Sequence, residues 1–433
     1  MLSNRLCIAL ALLAACLCAR STQGQLRGER PELVKVTDRV YCASGYALGN
    51  IMFVVTDTSV VVIDTSESPE SAKQALAALR AVTDLPIQKI IYTHFHGDHI
   101  NGAMSFRPSR ESPLEIIAHR NHEPELLKYQ MLRNYNMRLN AIQFGFTLEQ
   151  KDATLELAIN PLRPAIGYLR PNTLADEKLQ FEEGGVRFEV YNASGETSDH
   201  LIVWLPDFSV LFPGDLYYAS FPMLSSPMKH DRPVIQWAES IEKIRDFSPQ
   251  HLVPSHTRPI SGADQISEIL SNYSAAIRHV HDETVKCINQ GLSLYQTREK
   301  VALPEHLAKQ PYLAEVYGRV AWSVNGIYRQ YTGWYDLNPA NLNPGSRSEL
   351  HSAIVQAVGD IDPIFQRAQK AFKDQQFQLS LELVTIVLDA QPDHQPSHQL
   401  AAQVLRRLAS QSTNTVQKNI YLGAAQEHTK ASQ

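Results

Sequence analysis

Short β-branched runs alternate with one helical stretch in the first hundred residues after the leader. Residues 51–55 and 60–63 are two such runs separated by a Thr-Asp-Thr-Ser turn, and residues 87–92 form a third. Between them, residues 68–82 place apolar side chains with helical spacing. The order strand, helix, strand predicts an α/β core.

Later apolar runs follow the same pattern and end in loops that carry histidine or acidic residues. They cover residues 114–118, 186–191, 201–205, 210–212 and 251–253. Loops at strand ends are where α/β folds hold their ligands. We therefore expect the functional site at these loops.

Helical periodicity replaces the strands after Gly262, and residues 331–345 are rich in turn residues. From residue 364 to 408 the pattern indicates paired amphipathic helices, broken by Gln-Pro-Asp at 391–393. The sequence thus predicts a first domain over 31–345 and an all-α domain over 346–430.

Near the start of the chain, residues 6–18 form an apolar run of thirteen residues. This run is shorter than the roughly 20 residues needed to span a bilayer. We expect a secretory signal peptide within residues 1–24, hence a secreted or periplasmic protein without a transmembrane segment. Leu-Ala-Ala-Cys at 13–16 is similar to a bacterial lipobox, so acylation at Cys16 and simple cleavage near 19–24 both stay open.

Composition narrows the function classes. With 433 residues and 44% hydrophobic residues, the chain can bury a sizeable core. Its net charge of -5 implies no basic face, so nucleic acid is not expected as a partner. Beyond the leader only Cys42 and Cys287 remain, which excludes a disulfide scaffold and leaves their pairing open.

A histidine cluster follows the run at 87–92. In an extended backbone His94 and His96 point to one side, and Asp98 and His99 follow on the turn. Imidazole and carboxylate are suitable zinc ligands, and four such groups exceed what one open metal site uses. The cluster therefore predicts two metal ions.

This order, Thr-His-x-His-x-Asp-His, resembles the motif of the metallo-β-lactamase superfamily, whose fold is an αβ/βα sandwich with two metals at one sheet edge. The resemblance implies a bridging Asp, matched by Asp215 in Leu-Phe-Pro-Gly-Asp, and a last His, matched by His256 in Val-Pro-Ser-His. Glu196 stands where the superfamily usually has a third His. That replacement resembles the alkyl sulfatase branch.

The downstream sequence is similar to the same branch, notably at residues 328–340 and 419–427. The resemblance covers roughly residues 33 to 428. It implies a helical dimerisation domain at the C-terminal end and therefore a homodimer.

The resemblance also implies a full set of ligands for two Zn²⁺ per chain. Asp98 and Asp215 are in addition expected to act in catalysis, around a bridging hydroxide that serves as nucleophile. The implied set is His94, His96 and Glu196 for one zinc, Asp98, His99 and His256 for the other, with Asp215 as the bridge.

Substrate contacts are predicted from charge. A Glu in place of a His lowers the net positive charge of the two metal ions together with their ligands. An anionic ester would therefore need cationic side chains nearby. Lys229, Arg232 and Arg258 lie in the loops after Asp215 and His256 and are the candidates.

Leaving-group chemistry adds a second group of candidates. Trp322 occupies the position of a His in the branch motif Tyr-Gly-x-x-Ser-His-Asn, and its indole N–H can donate a hydrogen bond but cannot transfer a proton. Tyr335 and His230 are candidates for the missing general acid. Without one, the preferred leaving group would be better than a simple alkoxide.

Three hypotheses remain at this point. The first is a secreted dinuclear zinc hydrolase of sulfuric esters, acting on a small anionic substrate. The second keeps the metals and changes the bond to a lactone, β-lactam or phosphodiester. The third is an inactive scaffold whose helical module binds a partner, against which the complete ligand set argues.

Overall fold

The computed structural model of the chain describes residues 30–107, 109, 113–149, 167–336 and 338–433. The predicted signal peptide and Cys16 lie outside these residues. The chain divides into two compact units, one of Met1–Asn136 with Glu156–Gln330 and one of Met137–Leu155 with Tyr331–Gln433. The unit boundary lies at 330/331, whereas the turn-rich stretch led us to place a domain boundary at 345/346.

Seven strands form a first sheet in chain order. The first four are antiparallel neighbours, and the last four run parallel. Parallel strands place their carboxyl ends at one edge of the sheet, where the polar loops follow. The strands are β1 Glu32–Lys35, β2 Val40–Ser44, β3 Ile51–Val55, β4 Val60–Ile63, β5 Ile87–Ile91, β6 Glu115–His119 and β7 Thr173–Ala175.

Six strands form a second sheet in the order β13-β12-β11-β10-β9-β8. Its pairs are antiparallel except β11 with β12, which is parallel. The strands are β8 Lys178–Glu183, β9 Val186–Asn192, β10 Leu201–Leu205, β11 Val210–Phe212, β12 His251–Leu252 and β13 Ile260–Ser261.

The two sheets face each other across a shared apolar core. Val54, Val61 and Ile91 of the first sheet and Phe188 and Val203 of the second belong to this core and are fully buried. Helices cover both outer faces of the sandwich. The predicted αβ/βα sandwich followed by a helical region is confirmed.

The first unit contains the helices that cover the sheets. In the first of them Ser68 accepts a hydrogen bond from the Ser71 amide as N-cap and Pro69 occupies the first turn, as helix starts favour. The helices that begin in this unit are α1 Pro69–Leu79, α2 Gly97–Ile100, α3 His122–Met131, α4 Arg133–Gln143, α5 Val234–Asp246, α6 Ala263–Asn289, α7 Leu294–Lys300, α8 Glu305–Ala308 and α9 Val320–Thr332.

The second unit is helical and has its own core of Ala368, Val384, Leu400, Ala401 and Val404. This core explains the helical periodicity of 364–408, because its members lie on the facing stripes of three successive helices. The unit contains α10 Arg347–Val358, α11 Asp362–Lys373, α12 Phe377–Ala390, α13 Gln395–Gln411 and α14 Thr415–Ala431.

Helices α3 and α4 were not apparent in the sequence pattern. The buried residues are His122 in α3 and Ala141 and Gln143 in α4, so neither helix has a buried apolar stripe. Cys42 and Cys287 are buried and free. Within the described residues we find no helix with the length and apolar character that a membrane span requires.

Candidate metal centre

Loops after five strands converge at one edge of the sandwich. Asp64 follows β4, and His94, His96 and α2 follow β5. Glu196 lies between β9 and β10, and Asp215 follows β11 in a short 3₁₀ turn. His256 follows β12. The chain thus delivers side chains from distant sequence positions to a single cleft.

All seven predicted ligands meet at this edge. Their donor atoms form overlapping groups in which every atom lies within 4.8 Å of the others. Asp215 Oδ2 lies 3.9 Å from His94 Nε2, 3.5 Å from His99 Nε2 and 3.1 Å from His256 Nε2, so it occupies the position between two groups. The groups are His94, His96 and Glu196; His94, His99 and Asp215; and Asp98, His99 and His256.

Three of the imidazoles are anchored through Nδ1. His99 Nδ1 donates to Asp64 Oδ2 at 2.8 Å, and His256 Nδ1 donates to the Leu48 carbonyl at 3.0 Å. His94 Nδ1 lies 3.0 Å from the hydroxyl of Thr93. Each anchor fixes the ring with Nε2 directed at the centre, which is the arrangement that metal-binding histidines use.

His99 Nε2 and Asp215 Oδ1 are among the buried atoms at the centre that have no hydrogen-bond partner in the described part of the chain. Buried polar atoms are almost always paired, and leaving them unpaired costs free energy. A cation bound by these lone pairs would satisfy both atoms. The donor set of imidazoles and carboxylates fits zinc, so the residues fit the metal that the fold implies.

Charge at the centre perturbs the pKa values of its members. Burial opposes the charge on His256, yet Asp215 and Asp98 raise its pKa to about 10. Burial, with Lys229 nearby, lowers the pKa of His96 to about 3. The positive imidazole of His256 thus partly balances the carboxylates at the centre, whereas the imidazole of His96 is neutral at pH 7.

Glu196 is paired with Arg232, whose guanidinium contacts both carboxylate oxygens. Arg232 is buried, and it also donates to the Met223 carbonyl at 2.9 Å. Burial raises the pKa of Glu196 to about 7 against the opposing charge of Arg232. Arg232 was predicted as a substrate contact. In the structure its guanidinium holds the carboxylate of Glu196, the residue that stands where the superfamily usually has a third His.

A cavity of about 360 Å³ opens beside the first group and is lined by His96 and Glu196. Of the predicted substrate contacts, Lys229 and Arg232 line it. Burial, with Arg232 beside it, lowers the pKa of Lys229 to about 8. His230, a candidate acid, also lines this cavity.

The other predicted substrate contacts are not among the described residues that line this cavity. Arg258 is paired with Glu32 at 2.5 Å on the surface and is not among the residues that line the cavity. Trp322 is buried in α9 with the Arg319 guanidinium 5.8 Å from its ring centre. Tyr335 belongs to the second unit and is half-buried.

Sequence reasoning missed Asp64, which accepts hydrogen bonds from His99, Thr93 and Ser255. A signal was present, because Asp64 is the first charged residue after the apolar run 60–63 and so stands at a strand end. It also missed His200, whose Nε2 accepts from the Asp215 amide at 3.1 Å.

Comparison with known proteins identifies the family. The model of the metallo-beta-lactamase superfamily matches residues 45–256, and the alkyl sulfatase dimerisation model matches residues 294–431. A linear primary-alkylsulfatase from Pseudomonas sp. (strain ATCC 19151) is 30% identical over 379 residues, which cover 85% of this chain and 72% of that protein. The chain belongs to the alkyl sulfatase branch of the metallo-β-lactamase superfamily.

Other proteins named as alkylsulfatases are also similar to this chain over most of its length. The alkyl/aryl-sulfatase BDS1 of Saccharomyces cerevisiae is 26% identical over 411 residues, covering 91% of this chain and 63% of that protein. The solved structure of the inverting sec-alkylsulfatase Pisa1 from Pseudomonas sp. superposes with a TM-score of 0.84 at 24% identity, covering 93% of this chain and 66% of that one. This chain therefore spans roughly two thirds of the length of these relatives.

Proposed function

We propose that this chain is a secreted dinuclear zinc hydrolase that cleaves sulfate esters. The observation that carries the proposal is the convergence of seven imidazole and carboxylate ligands, including Glu196, in a chain of the alkyl sulfatase branch. His99 Nε2 and Asp215 Oδ1 are buried and have no hydrogen-bond partner among the described residues, which supports a cation site.

Each ligand group has a distinct task. His94, His96 and Glu196 would hold one zinc, Asp98, His99 and His256 the other, and Asp215 would bridge them. When bound, the two zinc ions supply Lewis acidity and a water acidic enough to attack near neutral pH. The protein residues fix this geometry, with Asp64, Thr93 and the Leu48 carbonyl holding three of the rings.

Charge around the cavity suits an anionic ester. Arg232 balances the carboxylate of Glu196, so the extra anion of this branch does not stand alone against the substrate. Lys229 lines the same cavity, and with a pKa of about 8 it is mainly protonated at pH 7. A cation at this place can stabilise the negative oxygens of a sulfate group.

The cavity also offers apolar surface for the organic part of the ester. Phe95, Tyr129 and Met228 line it next to the polar residues. Apolar walls with a few convergent polar groups are typical of small-molecule sites. Trp322 replaces the branch histidine, so we expect aryl sulfates, with their better leaving groups, to be cleaved faster than alkyl sulfates.

The proposal includes a homodimer formed through the helical region and export through the leader. The dimerisation model matched at residues 294–431 supports the first, and the apolar run at 6–18 supports the second. Light scattering of the purified protein tests the dimer. Mass spectrometry of the mature N-terminus tests export and decides between acylation at Cys16 and simple cleavage.

A substrate panel tests the activity. Metal-replete protein is assayed for sulfate release from dodecyl and aryl sulfates, beside a lactone and a chromogenic cephalosporin, with Glu196→Ala as the control. We expect sulfate release that Glu196→Ala abolishes. Activity only on the lactone or the cephalosporin would reject a sulfatase, and fewer than one metal ion per chain would contradict the dinuclear centre.

A further inference from the structure

Glu196 lies in a loop between β9 and β10 that has no regular secondary structure, so other contacts must fix it. Its N-terminal side is held by α5. The Ser240 hydroxyl donates to the Ser194 carbonyl at 2.6 Å. Gly195 packs so closely that an added Cβ would lie 2.5 Å from Leu216 Cδ2 and 2.9 Å from Trp237 Cγ.

The C-terminal side of the loop is held by α3. Asp199 is fully buried, and its Oδ1 accepts from the Thr197 hydroxyl at 2.6 Å. His122 Nδ1, at the start of α3, donates to Asp199 Oδ2 at 3.1 Å. On the surface, the Ser198 hydroxyl donates to Glu125 Oε1 at 3.0 Å. Three consecutive residues after Glu196 are therefore bonded, two of them to α3.

The His122 ring has little freedom to leave Asp199. It stacks on Tyr92 with ring centres 5.5 Å apart and on Tyr168 at 6.0 Å. The hydroxyl of Tyr92 donates to the Leu169 carbonyl, and that of Tyr168 donates to the Glu123 carboxylate. His122 is itself fully buried, and its Nε2 has no hydrogen-bond partner among the described residues.

We propose that the His122–Asp199 pair positions Glu196 for metal binding. Loss of His122 would leave Oδ2 of the buried Asp199 carboxylate without its donor, while Oδ1 keeps the Thr197 hydroxyl. A buried charge that loses its partner is costly, so this loss would drive Asp199 and its loop towards solvent. Glu196 lies three residues away and would move with the loop. Neither member of the pair belongs to the ligand groups, so both are positioning residues, and the inference rests on Glu196 being a ligand as proposed above.

Calorimetric zinc titration of the metal-stripped full chain tests the proposal. We expect His122→Leu to weaken the binding of one zinc about 10–100-fold, the range seen when a supporting partner of a ligand is lost, and to leave the other zinc unchanged. His122→Asn should retain most of the affinity, because its amide can donate from nearly the position of Nδ1. His122→Gln should lose affinity, because its donor lies further out.

A stability control separates positioning from general damage. Val54→Ala removes buried apolar volume in the sandwich core and should lower the unfolding temperature while both zinc ions still bind with wild-type affinity. A double variant with His122→Leu and Asp199→Asn should bind zinc nearly as well as His122→Leu alone, because the two substitutions remove one interaction.

Three outcomes would overturn the proposal. They are wild-type affinity for both zinc ions in a folded His122→Leu variant, equal weakening of both ions, and identical behaviour of the Asn and Gln variants. Hydrogen exchange of the peptide spanning residues 193–200 in metal-free protein gives an independent readout, and it should increase in His122→Leu. If the wild type binds no zinc, the proposed function fails, whereas the exchange result still reports on the loop.

Discussion

Asp64 is the residue whose removal should lower both the stability of the protein and its metal affinity. It is fully buried directly after β4 and adopts a φ of 57°. Its Oδ1 accepts from the Thr93 amide at 2.8 Å, and its Oδ2 accepts from the Thr93 hydroxyl, His99 Nδ1 and the Ser255 hydroxyl at 2.9, 2.8 and 2.9 Å. One carboxylate therefore joins loops that follow three strands.

Asp64→Ala removes the acceptor from all four donors. The two hydroxyls can rotate towards other acceptors, but the Thr93 amide and His99 Nδ1 cannot, and each buried donor left unpaired costs about 1–3 kcal/mol. Alanine at positive φ adds about 1–2 kcal/mol. We expect the free energy of unfolding of the metal-free protein to fall by about 3–8 kcal/mol.

The same substitution should reduce metal affinity, because the bond from Asp64 fixes the tautomer and direction of the His99 ring. We expect the zinc held by His99 to bind about 10–100-fold more weakly. Asp64→Asn keeps one acceptor oxygen and tolerates positive φ, so its loss of stability should be smaller.

Denaturant unfolding of metal-free protein measures the first effect, and competition with a chelator of known affinity measures the second. Asp64→Gly serves as the matched control, since it removes the carboxylate without the strain at positive φ and should be more stable than Asp64→Ala. The reasoning is refuted if Asp64→Ala unfolds within 0.5 kcal/mol of wild type, or if it binds both zinc ions with unchanged affinity.

Three further predictions concern two ion pairs and the metal centre. Arg278 donates to Glu242 and lowers its pKa from 4.5 to about 2, so the stability from this pair is present above pH 4.5 and is lost as the pH falls towards 2. Glu242→Gln should therefore cost about 1 kcal/mol or less at pH 7 and nothing at pH 2, by denaturant unfolding. Arg232→Gln leaves the buried Glu196 without its cation and should cost about 3–5 kcal/mol in metal-free protein, but less with zinc bound, by calorimetry. Chelation of wild-type protein should lower its unfolding temperature, and excess zinc should restore it; an unchanged temperature contradicts a metal centre.

The parts of the site that the sequence predicted are those whose geometry is local. His94, His96, Asp98 and His99 follow a single strand, so the direction of each side chain follows from the backbone alone. Asp215 and His256 also follow strands, and parallel pairing brings strand ends to one edge of a sheet. The choice of Asp215 and His256 came from the resemblance to the superfamily motif, and the strand assignment explains why their loops converge.

The contacts that escaped prediction depend on how separate loops pack. His122 and Asp199 are 77 positions apart, and α3 has no apolar stripe that would have shown its place against the sheet. Arg232 was recognised as a cation, but its direction towards Glu196 depends on the course of the loop before α5. Arg258 follows His256 by two positions and nevertheless points to Glu32. Side-chain direction in such loops is set by tertiary contacts and not by local sequence.

The distribution of buried charge gives a separate reason to expect cations at the centre. Several carboxylates at this edge are each held by a positively charged or hydrogen-bond-donating side chain of the protein. They are Asp64 with His99, Thr93 and Ser255, Glu196 with Arg232, and Asp199 with His122 and Thr197.

Asp98 and Asp215 differ from these carboxylates because the histidine nitrogen that faces each of them is Nε2. Within the described part of the chain their ion pairs are with histidines, and those rings present Nε2 to the centre while Nδ1 is bonded elsewhere. Such rings can balance a carboxylate only by taking up a second proton, which is why the pKa of His256 is raised to about 10. A divalent cation would balance the same charge and displace that proton, so zinc binding at pH 8 should release protons, and the amount released should decline as the pH rises through 10.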